Sequence, residues 1–150
     1  VKIMTFSRDP IAICASWAKR YTPSQLATSW LGISPGSMPT GPAYYRLLGE
    51  ICGKRFDHLR RARELASLHV SYETLCSDTE GTVRDLLAAF PALGSVDARA
   101  AVRVKDYSPQ PLQNMNAEQR GMLTTDQQAA ILGGLSPFSG AIESLGYDLI

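Results

Sequence analysis

Arg8 and Ser16 stand eight residues apart, with Asp9 and Pro10 directly after the arginine. A guanidinium carries a planar fork of donors that can hold a phosphate through two parallel hydrogen bonds, and a serine hydroxyl adds a neutral donor. The chemistry of such a pair is oxyanion binding. Ser16 lies six residues beyond Pro10, about 9 Å up a helix that rises 1.5 Å per residue, so it cannot share the open N–H groups of the first turn. The anion is therefore expected along the helix flank, whereas in a P-loop it sits over the helix terminus.

The elements that must position these residues are a strand and a helix. Ile3, Thr5 and Phe6 favour a strand. Ser7-Arg8-Asp9-Pro10 then breaks it, with Asp9 suited to cap a helix and Pro10 to its first position. Ile11, Cys14, Ala15 and Ala18 give the helix one apolar stripe. Arg8 thus falls at the carboxyl end of a strand, where open α/β sheets bind ligands. Between Thr22 and Pro42 four prolines and Gly32, Gly36 and Gly41 predict a loop-rich insertion, with a short helix over Ser24 to Trp30.

Tyr45, Leu48, Ile51, Cys52, Phe56 and Leu59 repeat every three or four residues and predict a helix from Tyr44 to about Leu65, which Gly49 and Gly53 weaken slightly. Leu68 to Tyr72 reads as a second strand. A helix between two strands implies a parallel sheet with a crossover. Ser77 with Glu80 has capping-box form ahead of a helix stopped by Pro91. The stretch from Gly94 through Asp106, Tyr107 and Pro111 to Gly121 reads as an extended loop or lid. Thr124 with Gln127 opens a further helix, and Ser136-Pro137 starts a last one that ends at Gly146.

Composition narrows the function. The 150 residues are 45% hydrophobic and 19% charged, enough for the core of one domain spanning 1–150. Fifteen basic residues against fourteen acidic leave a net charge of +1, too small a field for nucleic acid or a membrane surface. No apolar run reaches membrane-spanning length, and Val1 to Phe6 is too short for a signal peptide, so a cytoplasmic protein is expected. A chain that begins inside a strand without Met is expected to lack its natural N-terminus.

Cys14, Cys52 and Cys76 fit neither a disulfide framework nor zinc-binding pairs. No metal is expected. His58 and His69 are lone histidines read as structural or exposed, and His69, on the second strand, is expected to be a sheet residue. Arg55, Arg60, Arg61 and Arg63 spread around a helix as a solvated face. Trp17 reads as core, while Trp30 is open to stacking a substrate.

The run Arg8-Asp9-Pro10 followed by Ser16 resembles the Arg-x-Pro-x5-Ser segment of sulfotransferases that use 3′-phosphoadenosine 5′-phosphosulfate (PAPS). Tyr72-Glu73-Thr74-Leu75 is similar to the Tyr-Glu-Asp-Leu strand end of that family. The helix from Thr82 to Leu93 resembles the one that follows it, and Leu145-Gly146-Tyr147 resembles the close of many bacterial members. The resemblance implies the C-terminal portion of a P-loop-like α/β fold, an incomplete parallel sheet with flanking helices. Arg8 and Ser16 would bind the 3′-phosphate of PAPS and Tyr72 would lie near the adenine. Arg120 falls near a basic residue that closes over the nucleotide in related enzymes, although the Arg-Lys-Gly signature of animal cytosolic members is absent.

The acceptor implied is a small molecule or carbohydrate offering a hydroxyl or amine. The general base and the loop on the 5′-phosphosulfate are not found in this chain, so no catalytic residue is assigned. Gly32-Ile33-Ser34-Pro35-Gly36 follows no strand and holds no lysine, which makes it a poor phosphate loop. These 150 residues alone should bind the nucleotide poorly and transfer nothing. The alternatives are a non-catalytic binding module of the same fold and a nucleotide kinase relative.

Overall fold

The computed structural model describes residues 1–31, 34–98 and 112–149. Residues 32 and 33 of the glycine-rich stretch, the lid expected around Asp106 and Tyr107, and the side chain of Trp30 lie outside the described residues. The chain is mixed α/β and mostly helical, with one small parallel sheet of two strands among the described residues. It groups into two compact units, Val1–Arg8 with Arg61–Asn114 and Asp9–Arg60 with Met115–Ile150.

In the first unit β1 (Met4–Ser7) pairs in parallel with β2 (Leu68–Ser71), setting Thr5 beside His69 and Ser7 beside Ser71. Side chains alternate along a strand. Thr5 and Ser7 are accordingly buried while Met4 and Phe6 are exposed. β2 ends one residue earlier than the sequence suggests. Ser71 Oγ accepts the amide N–H of Thr74 at 3.0 Å, which caps a helix and makes Tyr72 the first residue of α4 (Tyr72–Ser77). Tyr72 therefore opens a helix and does not close a strand.

Asp78 closes α4 and opens α5 (Thr79–Ala89), its carboxylate accepting the Gly81 N–H at 2.9 Å. The cap expected at Ser77 is thus displaced by one residue, because a short carboxylate caps as well as a hydroxyl. Pro91 ends this helix as expected. A 3-10 turn (Pro91–Leu93) follows, and Gly94 has φ +72°, a left-handed value that glycine adopts without strain.

The second unit begins with α1 (Pro10–Arg20). The Asp9 carboxylate accepts the Ala12 N–H at 2.8 Å, and Pro10 occupies the first turn. Ile11, Ala12, Cys14 and Ala15 are buried. Thr22 and Gln25 cap each other's backbone to start α2 (Pro23–Leu26), which continues as a π turn (Ala27–Leu31). These two turns cover the short helix expected over Ser24 to Trp30, and a further 3-10 turn follows at Pro35–Ser37.

α3 (Pro42–Glu64) buries Tyr44, Leu48, Cys52 and Phe56, one residue every four. α6 (Asn116–Gly121) corrects the loop expected there. Ala117, Glu118, Gln119 and Arg120 are all good helix formers, but six residues are too few to show a periodicity. α7 (Thr125–Leu135) opens on the reciprocal Thr124–Gln127 cap that the sequence predicts. After a 3-10 turn (Ser136–Phe138) and α8 (Ser139–Glu143), Gly146 turns the chain at φ +90°. Leu26, Leu48, Cys52, Ile131, Leu135 and Ile142 form the centre of the core, and the Tyr147 ring meets Phe56 edge-on at 5.8 Å. Among the described residues no helix is long and apolar enough to cross a membrane.

Candidate functional site

Arg8 leaves β1 and Tyr72 leaves β2 at the same level, because Ser7 and Ser71 are register partners and each is followed at once by one of the two. The Arg8 guanidinium carbon lies 4.3 Å from the centroid of the Tyr72 ring. A cation placed over an aromatic face is attracted by the ring quadrupole. The Tyr72 hydroxyl donates to the Gln113 carbonyl at 2.6 Å, which fixes the ring beneath the cation. Both side chains are half-buried. The pair combines a fixed positive charge, suited to an oxyanion, with an aromatic surface suited to a heterocyclic base.

Cys76 lies one helical turn beyond Tyr72 on α4. Burial pushes its thiol up from 9.0, and Glu73 acts in the same direction, while a hydrogen bond with Tyr72 and the charge of Arg8 pull it back. It remains a thiol at neutral pH and makes a poor nucleophile.

Ser16 and Arg120 belong to the second unit. Ser16 sits half-buried on α1. Arg120, on α6, makes an ion pair with Asp9, whose carboxylate also caps α1. The backbone carbonyl of Arg120 accepts the side-chain amide of Gln128 at 3.0 Å, and its Nε is buried with no hydrogen-bond partner among the described residues. The structure therefore brings Arg8 and Tyr72 together within one unit, and Asp9 and Arg120 together within the other.

The remaining candidates are structural. His58 is exposed, and no group of metal-ligating side chains occurs among the described residues. Arg55 lies 5.0 Å from the centroid of the Trp17 ring, and Arg46 and Arg60 pair with Glu50 and Asp57 along α3. This is the solvated face that the spread of arginines predicts.

His69 is a sheet residue of β2, as the sequence predicts, but its partners are not revealed there. Its Nδ1 lies 2.9 Å from Thr5 Oγ1 and its Nε2 lies 3.1 Å from Ser7 Oγ. Burial, reinforced by the charge of Arg63, holds the ring below its usual 6.5. The alternation of Thr5 and Ser7 is visible in the sequence, but the pairing that puts His69 between them is not. No family model matches the chain, and no curated protein or solved structure is significantly similar to it.

Proposed function

We propose that this chain is the C-terminal portion of a sulfotransferase, whose P-loop-like fold takes a sulfuryl group from PAPS to a hydroxyl or amine of a small-molecule or carbohydrate acceptor. The observation that supports the reading is the Arg8 guanidinium lying over the Tyr72 ring. Arg8 provides the charge that a ribose 3′-phosphate requires, and Tyr72 provides the aromatic surface for the adenine. These residues act at a distance from the transferring group. They contribute uniform binding and alignment, while proton removal and stabilisation of the leaving oxygens fall to residues outside those assigned.

The test is a calorimetric titration with adenosine 3′,5′-bisphosphate. In the full-length protein Arg8→Ala should weaken binding by about 2 to 4 kcal/mol, the cost of losing a charge-assisted contact to phosphate. Adenosine 5′-monophosphate, lacking the 3′-phosphate, should bind weakly to the wild type and respond little to the substitution. Equal affinity of Arg8→Ala and wild type for the bisphosphate would overturn the reading. Tight binding of ATP, with no preference for a 3′-phosphate, would favour a kinase relative.

A further inference from the structure

We propose that His69 is a proton-sensitive latch on the β1–β2 pair, closed when the ring is neutral and loosened when it is protonated. The inference concerns the strand pair itself and does not depend on which ligand Arg8 and Tyr72 bind. Thr5 and Ser7 project from one face of β1, and the imidazole from the register partner of Thr5 spans both hydroxyls, at 2.9 Å and 3.1 Å. Both are nearly inaccessible to solvent, 5% and 3% exposed.

A neutral imidazole offers one N–H and one lone pair, so one hydroxyl accepts from the ring while the other donates to it. Side chains thus join the strands in addition to the backbone ladder. Protonation turns both ring nitrogens into donors. The hydroxyl that gave its proton to the ring must then reverse and give up that bond, in a place closed to water where rearranging hydrogen bonds is costly. The new charge is also half-buried.

The charged and titratable surroundings add to this. β1 faces the ring with two hydroxyls and no ionisable group. From α3 the Arg63 guanidinium acts on the ring and opposes a second positive charge. Neither α4 nor α5, which pack against β2, contributes a charge that favours the protonated ring among the described residues. The two influences that act on the ring, burial and the Arg63 charge, both favour the neutral form.

The position gives the latch its consequence. Ser7 precedes Arg8 and Ser71 precedes Tyr72, so the strand ends that set the guanidinium over the ring lie one residue from the latch. Loosening the pair by acidification should release the Arg8–Tyr72 contact before the helices of the second unit respond.

Two measurements on the intact chain test this. NMR titration of the His69 ring should give a pKa below 6.5. Amide hydrogen exchange, corrected for intrinsic pH dependence, should show protection at residues 4–7 and 68–71 falling between pH 7.5 and 5 relative to α7. The fall should approach tenfold for each unit by which the ring lies below its free value. His69→Gln keeps one donor and one acceptor but cannot titrate, and should abolish the excess opening. If that variant does not fold, Arg63→Gln, which removes the opposing charge, should raise the ring pKa and lessen the acid-induced opening in its place. A wild-type ring pKa at or above 6.5, or the same acid-induced opening in His69→Gln, would overturn the proposal.

Discussion

Gly49 of α3 and Gly134 of α7 meet backbone to backbone. A Cβ on Gly49 would overlap the Ile131 carbonyl oxygen and come within 3.1 Å of the Gly134 Cα. One on Gly134 would overlap the Arg46 carbonyl oxygen and lie 2.8 Å from the Glu50 amide nitrogen. Backbone atoms cannot turn aside as a side chain can, so Gly49→Ala should force the helices apart and cost about 3 kcal/mol. Gly133, on the same helix, has nothing within 4 Å of its added Cβ. Gly133→Ala should gain about 0.5 to 1 kcal/mol from helix propensity. Urea denaturation of both variants checks the pair, and equal effects would show that the contact is not tight.

Asp9 both caps α1 and pairs with Arg120. The two roles separate by substitution. Arg120→Ala removes only the ion pair, which is partly solvated with side chains 38% and 13% exposed, and should cost about 1 kcal/mol or less. Asp9→Asn keeps an oxygen for the Ala12 N–H and should cost little more. Asp9→Ala loses the cap as well and should add about 1 kcal/mol to either. Thermal melts that placed Asp9→Ala level with Asp9→Asn would deny the cap its contribution.

The thiols of Cys14 and Cys52 are exchanged between helices, Cys14 Sγ donating to the Leu48 carbonyl at 3.6 Å and Cys52 Sγ to the Pro10 carbonyl at 3.7 Å. The hydrogen bond with Cys52 and burial hold the Cys14 thiol well above 9.0. Alkylation of the folded protein at pH 7.5 should therefore mark Cys76 alone, slowly, with Cys14 and Cys52 reacting only in urea. A raised thiol pKa also contributes stability that is complete below the free value of 9.0 and is lost as the pH rises above it. Stability should thus fall through the alkaline range, less steeply in Cys14→Ala. Tyr44, raised from 10.0 mainly by burial, adds to the fall at higher pH, and Tyr44→Phe separates the two.

Elements fixed by local chemistry were legible in the sequence. Asp9 and Pro10 announce α1, Thr124 and Gln127 announce α7, and Gly146 marks the final turn, because a cap or stop is written within four residues. What depends on contacts distant in sequence was not. Gly49 and Gly53 read as small propensity costs, whereas Gly49 admits the backbone of α7 and Gly53 leaves space for the Phe138 ring. Tyr72 reads as strand because alternation continues through Ser71, whose capping hydroxyl is silent in a periodicity. The same limit applies to the site. Arg8 could be placed at a strand end from its flanking residues, but its partner Tyr72 and the setting of His69 follow from the register of two strands about sixty residues apart.

Tyr72 has two separable contributions, a hydroxyl on the Gln113 carbonyl and a ring beneath Arg8. Tyr72→Phe removes the first and keeps the second. It should cost about 1 kcal/mol of stability, the usual net worth of one hydrogen bond, and leave the affinity for adenosine 3′,5′-bisphosphate within about twofold. Tyr72→Leu keeps apolar bulk but removes the π face, so the cation loses its platform and a base loses its stacking partner. Stacking on an aromatic is worth about 1 to 3 kcal/mol per base, so affinity should fall by about tenfold or more. Calorimetry on both variants, beside urea denaturation, distinguishes a stacking role from a scaffolding one. If Tyr72→Leu lost stability without losing affinity, the ring would serve only to hold Arg8, and the adenine would have to lie elsewhere.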